Sequence, residues 1–349
     1  MDSLIADNRG LTEFLSYIAP LPEIALDTEA DSLHCYFEKL CLIQMSTPSD
    51  TVLIDPLADV DLSLLFRALR DKRVIFHGAD YDLRLLERAG EFRTREVFDT
   101  MIAARLLGYD GLGLAALVER FFDVKLSKAS QKANWALRPL SSQMVEYAMN
   151  DTRFLLPLAK ILGEEIVRLR RQEWLHQSLE RMLCSARNPR EKDRTKAWQI
   201  AGSAVLSPAS QAVLRTLWHW RDAEAREWNR PPFHVMSNEE MLKIAELSVK
   251  GSPFSTPRFP ATRRQRFERM LADALQISEA EWPVREKFIR QRPDKAASQE
   301  FERLKKLRDE VAEREKLNPS IIAPKAALEA IAFQKDFSGL MDWQKQLLY

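Results

Sequence analysis

The sequence predicts an α/β domain with a mixed sheet, followed by two small all-α helical modules. Three observations point there. Strand-like and helix-like segments interleave between Ile24 and Leu107, the pattern of a sheet layered with helices. From Gly111 onward the apolar residues recur only at helical spacing. Two stretches in the second half of the chain then match one another at a fixed offset.

In chain order, residues 10–19 read as a short helix. Ile24 to Leu26, Lys39 to Ser46 and Thr51 to Ile54 carry strand signals close enough together to form a meander. Asp61 to Arg70 reads as a helix, Arg73 to His77 as a strand and Ala79 to Ala89 as a helix. Val97 to Asp99 is a short strand leading into a helix over Thr100 to Leu107. Leu112 to Phe122, Ser141 to Leu162 and Gly163 to Leu183 read as helices. The polar run Ser185 to Thr195, broken by Pro189, is the expected linker. Domains are thus expected at 1–184, 196–285 and 286–349, joined by the linker at 185–195.

The repeat supports the last two. Trp220-Arg221-Asp222-Ala223-Glu224-Ala225 lies over Leu307-Arg308-Asp309-Glu310-Val311-Ala312, an offset of 87 that also pairs Pro232 with Pro319, Val235 with Ile322 and Ile244 with Ile331. In the first copy, Ser237 and Glu240 have the spacing of a capping box.

A chain of 349 residues suggests two or three domains. Its net charge of +1 hides an asymmetry: residues 1–160 carry 18 Lys and Arg against 24 Asp and Glu, residues 161–349 carry 34 against 27. An acidic front suits a metal site and a basic back suits an anionic partner. Cys35, Cys41 and Cys184 are odd in number and lack Cys-x-x-Cys spacing, which argues against a disulfide framework and a zinc knuckle. The N-terminal segment has no basic run before an apolar one, and no stretch approaches about 18 uninterrupted apolar residues. The expectation is a cytoplasmic protein with no membrane partner.

The chemistry centres on Glu23-Ile24-Ala25-Leu26-Asp27-Thr28-Glu29-Ala30-Asp31. On a strand, Asp27 and Glu29 project from one face about 7 Å apart. Facing carboxylates repel and lose hydration, so the pair asks for a cation; a solvated strand end is the other reading. Asp82 lies where a strand gives way to a helix, with Asp80 the better placed of the two for a capping role. Tyr147 and Asp151 are four apart, on one face of a helix.

Asp-x-Glu on a strand, a mid-domain Asp and Tyr-x-x-x-Asp on a late helix together resemble the tyrosine-bearing branch of the DEDD superfamily of 3′–5′ exonucleases. Asp99-Thr100, Lys128, Trp135, Arg138-Pro139-Leu140-Ser141 and Tyr147-Ala148 are similar to the intervening signature of the ribonuclease D family. The two repeats resemble helicase-and-ribonuclease-D C-terminal (HRDC) domains. The chain departs at Ala133-Asn134-Trp135, where Ser-Asp-Trp is usual, and at Asn150, where a small residue is usual.

The resemblance implies a ribonuclease H-like fold and hydrolysis of RNA from its 3′ end with two divalent ions. All-oxygen ligands suit magnesium or manganese. By resemblance Asp27 bridges both ions, Glu29 and Asp151 complete the site that activates water, Asp82 holds the second ion, and Tyr147 orients the water. His77, Gln44, Lys128 and Arg138 are the expected substrate contacts. In the helical modules, Arg221, Arg226 and Arg230 lie near Trp218, Trp220 and Trp228, a composition suited to single-stranded RNA. The expected partners are transfer-RNA precursors with a single-stranded 3′ end, bound by a monomer. A DNA exonuclease of the same superfamily and a non-catalytic RNA-binding protein are the competing functions.

Overall fold

The computed structural model describes residues 4–188, 193–284 and 295–349. Six strands form one sheet in the order β1-β4-β3-β2-β5-β6. They are β1 (Leu4–Asp7), β2 (Glu23–Ala30), β3 (Leu40–Ser46), β4 (Thr51–Asp59), β5 (Arg73–Phe76) and β6 (Glu96–Asp99). The expected meander is present: β2, β3 and β4 are antiparallel neighbours. β1, β5 and β6 pair parallel, which makes the sheet mixed. Strand β1 has no counterpart among the sequence expectations, because four residues are too few to show a period.

Alternation along the strands sorts the side chains into two layers. Ile24, Leu26, Ile43, Met45, Val52, Ile54, Val74 and Phe76 face one core with helices α1 (Asn8–Ile18), α2 (Leu62–Leu69) and α3 (Asp80–Ala89). Ala25, Leu42, Leu53 and Ile75 face the other layer. There lie α4 (Thr100–Leu106), α5 (Leu114–Phe122), α6 (Ser142–Arg153) and α7 (Leu155–Arg168), while α8 (Gln172–Arg187) serves both cores, Leu175 and Leu179 on this side and Ala186 on the other. Every residue of β3 is buried, as a central strand covered on both faces should be.

The helix expected over Ser141 to Leu162 is two. Pro157 has no N–H to offer the carbonyl four residues earlier, so the chain breaks at Phe154 and Pro157 falls in the first turn of α7, where it is tolerated. Gly163 lies within α7 rather than at a start. The next break comes at Arg170, whose φ of 56° is left-handed. Helix α8 takes in Ser185 to Arg187 of the expected linker, and residues 189–192 of it lie outside the described residues.

The 87-residue offset survives in three dimensions. Helices α9 (Pro208–Trp228), α10 (Pro232–Val235) and α11 (Asn238–Val249) are followed by α12 (Ala261–Leu275). The second set, α13 (Lys295–Glu315), α14 (Pro319–Ile322) and α15 (Lys325–Gln334), is followed by α16 (Asp342–Leu348). The second and third helices of each set start 87 residues apart, and both long helices give way to a left-handed residue, Asn229 and Lys316. The fourth helices do not correspond.

The chain divides into two compact units. The first contains the sheet, its helices and residues 295–349. Within it, Leu304, Val311, Trp343 and Leu348 share a core with Leu158, Leu162, Leu175 and Leu179. Helix α8 and the residue before it form the seam. Arg171 donates to the Leu106 and Glu315 carbonyls and to the Glu315 carboxylate, and Trp174 stacks on Trp343 with centroids 4.6 Å apart.

The second unit joins residues 193–284 with residues 31–39, the connection between β2 and β3. Tyr36 Oη donates to Asp222, and Asn229 Oδ1 accepts the backbone N–H of both Tyr36 and Phe37. Its core holds Trp198, Leu214, Leu217, Met241, Ile244 and Phe267. Ser237 and Glu240 form the expected capping box. Arg221 is buried and donates to the Met236 carbonyl and to Asn238, a structural role rather than an open one.

Candidate active site

Strand β5 ends at Phe76 while β2 continues to Ala30, so the β5-facing edge of β2 is unpaired beyond Ala25. That edge is where the acids gather. After β5 the chain turns at Gly78, whose φ is +77° and where a Cβ would meet the Met101 methyl at 3.0 Å. Asp99 fixes the corner, accepting the Ala79 N–H at 2.7 Å with one oxygen and capping α4 through the Met101 and Ile102 N–H groups with the other. Helix α3 then begins at Asp80, which pairs with Arg84, and carries Asp82 in its first turn. Asp82 Oδ1 accepts the Thr28 N–H at 3.0 Å and the Thr28 hydroxyl at 2.5 Å.

Asp27 and Glu29 point to the opposite face of β2 from Thr28, toward α6. Helix α6 is capped by Ser141 and crosses β3 and β4, held there by a 2.7 Å hydrogen bond between Thr152 and Ser46. It brings Asp151 to the pair on β2: carboxylate oxygens of Asp27, Glu29 and Asp151 all lie within 4.8 Å of one another. Asp82 stands outside that triad but within its field, and Tyr147 donates a hydrogen bond to Asp151.

So much buried negative charge is unstable as such, and the carboxyl groups respond by holding protons. Burial, then the charges of Asp82, Asp151 and Glu29, pushes Asp27 far above the usual carboxylate range. Burial, then Asp151 and Asp82, raises Glu29 to about 9. Burial raises Asp151 to about 7 against the Tyr147 hydrogen bond, and raises Asp82 to about 6 against the bonds from Thr28. Burial and the charges of Asp151, Glu29 and Asp27 push the Tyr147 phenol upward, so it stays a donor. A convergent all-oxygen set with excess negative charge fits hard divalent cations, which relieve the repulsion that protons otherwise relieve.

The expected substrate contacts fare differently. Arg138 gives its Nε and one Nη to the two Asp55 oxygens at 2.6 and 2.7 Å, and donates to the carbonyls of Cys41, Trp135 and Leu137. Its fork is fully engaged in tying the loop before α6 to β3 and β4, which leaves no donor aimed at a phosphate. His77 Nδ1 sits 2.9 Å from Thr100 Oγ1. That hydroxyl donates to the Phe76 carbonyl, so the Nδ1–H of His77 must be the donor. Burial also lowers its pKa, keeping the ring neutral. Gln44 is completely buried and reaches no surface. Lys128 is exposed in the loop between α5 and α6. Trp135 is buried with its ring 6.0 Å from that of Tyr147.

Thr28 was not singled out as a functional residue in the sequence. Its place between the two acids of Asp-x-Glu was the available signal, since the residue between two inward acids must face the other way.

Residues 3–167 match the family model described as 3′–5′ exonuclease, and residues 210–248 match that of the HRDC domain. The ribonuclease D of Desulfotalea psychrophila is 30% identical over 250 residues, covering 70% of this chain and 67% of that protein. The ribonuclease D of Haemophilus influenzae is 29% identical over 337 residues, 94% of this chain and 84% of that one. Across the curated ribonuclease D relatives the matched region spans from 61% to 94% of their length. In fold, the crystal structure of Escherichia coli RNase D superposes with a TM-score of 0.72 over 99% of this chain and 98% of that one, at 24% identity. The chain belongs to the ribonuclease D family.

Proposed function

We propose that this protein removes nucleotides from RNA 3′ ends by hydrolysis at two divalent cations, magnesium or manganese, held by Asp27, Glu29, Asp82 and Asp151. The convergence of Asp27, Glu29 and Asp151 within 4.8 Å is the observation that carries the reading. Ions bound there would lower the pKa of the attacking water and offset charge at the phosphorus and the leaving 3′ oxygen. The chain's own residues do the rest. Asp27, central among the acids, would be the shared ligand. Glu29 and Asp151 converge with it from β2 and α6 to complete the water-activating side. Asp82 serves the second cation, and Thr28 holds its carboxylate in one orientation. Tyr147, protonated and hydrogen-bonded to Asp151, presents its hydroxyl to the nucleophilic water and the scissile phosphate.

The proposed substrates are transfer-RNA precursors with a single-stranded 3′ end. In the second unit, Trp228 is 46% exposed with the Arg263 guanidinium 4.5 Å from its ring, a surface on which a base can stack. Lys128, in the exposed loop before α6, is the remaining basic candidate for phosphate contact. The proposed modules are 196–285 and 286–349, supported by the shared 87-residue offset of α10 with α14 and of α11 with α15. Among the described residues no helix is long and apolar enough to cross a membrane.

The test uses 5′-labelled RNA and DNA of one sequence, with and without magnesium. A magnesium-dependent ladder shortening from the 3′ end of RNA is expected. A ladder on DNA alone would move the reading to the DNA-directed relatives, and no cleavage of either would leave an RNA-binding protein.

A further inference from the structure

We propose that Gln44 is a positioning residue for Asp27: its side-chain amide donates an N–H to the Asp27 carboxylate, directly or through one ordered water, when the acids hold their cations. The proposal rests on Asp27 being a cation ligand.

Gln44 and Asp27 are Cα partners across the antiparallel β2–β3 pair. Directly opposed residues project from the same face, with Cβ atoms about 5 Å apart. Both therefore point toward α6. Gln44 is 0% exposed, and neither its Nε2 nor its Oε1 has a hydrogen-bond partner. A buried amide without a partner is costly, and a Leu or Met would fill the same volume without that cost. The rest of β3 takes the apolar option, with Leu42, Ile43 and Met45 around it.

The neighbours on that face narrow the choice of partner. Leu42 and Leu53 flank Gln44 and offer nothing polar from their side chains. The Ser46 hydroxyl is committed to Thr51 and Thr152. Thr28 faces the other layer and is bonded to Asp82. Asp27, directly across, has the spare acceptor capacity: a carboxylate offers about four lone-pair positions, more than two cations occupy. Such outer partners of a ligand fix its orientation, and their loss typically weakens metal binding by about 10- to 100-fold.

Gln44→Met keeps the side chain's length and removes both amide groups. The full-length unaltered, Gln44→Met and Asp27→Asn proteins are titrated with Mn2+ by calorimetry without RNA, and each is melted in chelator. The unaltered protein is expected to bind and Asp27→Asn to lose tight binding. Gln44→Met should bind at least about tenfold more weakly, while its metal-free melting temperature stays level or rises. Equal Mn2+ affinity in folded Gln44→Met and unaltered protein would overturn the proposal and leave the site reading intact. Absence of Mn2+ binding by the unaltered protein would overturn both. If Gln44→Met does not fold, Gln44→Asn withdraws the amide by one methylene, and unchanged affinity there is equally fatal.

Discussion

Thr28 donates both its backbone N–H and its hydroxyl to a single oxygen of Asp82, although 54 residues separate them. The backbone bond exists because β5 stops short and leaves that edge of β2 open. The hydroxyl adds direction. Thr28→Val retains shape and the backbone donor but loses the second bond. It should lower kcat about tenfold while the melting temperature moves little; an unchanged kcat would show that the hydroxyl does not orient Asp82.

Tyr147→Phe should be slow rather than inactive, about 10- to 100-fold down in kcat, because a positioning hydroxyl is lost and no ligand is. It also removes a bond that holds Asp151 down. The acid limb of the rate profile should therefore move to higher pH, and a profile identical to the unaltered enzyme's would argue against the Tyr147–Asp151 pair.

Without metal, the acids make stability fall as pH rises. Glu29 near 9, Asp151 near 7 and Asp82 near 6 all titrate above their unfolded values. A carboxyl group raised on folding contributes stability below its unfolded pKa and loses it as pH climbs through the folded pKa. The melting temperature in chelator should drop between about pH 4 and pH 9, and added Mn2+ should restore it most at the alkaline end. A melting temperature in chelator that rises over this window would contradict the charge balance described for the site.

Arg138→Ala should cost about 3 kcal/mol, since Asp55 is buried and would be left without its bidentate partner. Urea denaturation measures this. A loss of RNA affinity with unchanged stability would instead return Arg138 to the substrate.

The site was far more legible in the sequence than its supports. Asp27 with Glu29, and Tyr147 with Asp151, carry fixed spacings of two and four, and those periods survive any tertiary arrangement. Asp82 was legible from its place at a strand-to-helix junction. Arg138 was not, because its partners Asp55 and Cys41 lie 83 and 97 residues away and no local pattern announces them. The break at Phe154 was hidden because apolar periodicity continues across Pro157. Likewise the helical period of residues 295–349 shows a buried face but not what covers it, and Leu304 and Val311 share a core with α7 and α8. Residues 31–39 carry no local pattern that shows their place, because their partners, Asp222 and Asn229 among them, lie some 190 residues on.

The central claim is that the carboxylates of β2 and α6 form one cation-dependent hydrolytic site. Asp151→Asn tests it most directly, since the amide keeps the shape of the side chain and the Tyr147 contact while removing the charge. With 5′-labelled RNA and saturating Mn2+, the folded variant should produce no ladder over a time in which the unaltered enzyme consumes the substrate. A ladder at the unaltered rate would contradict the account.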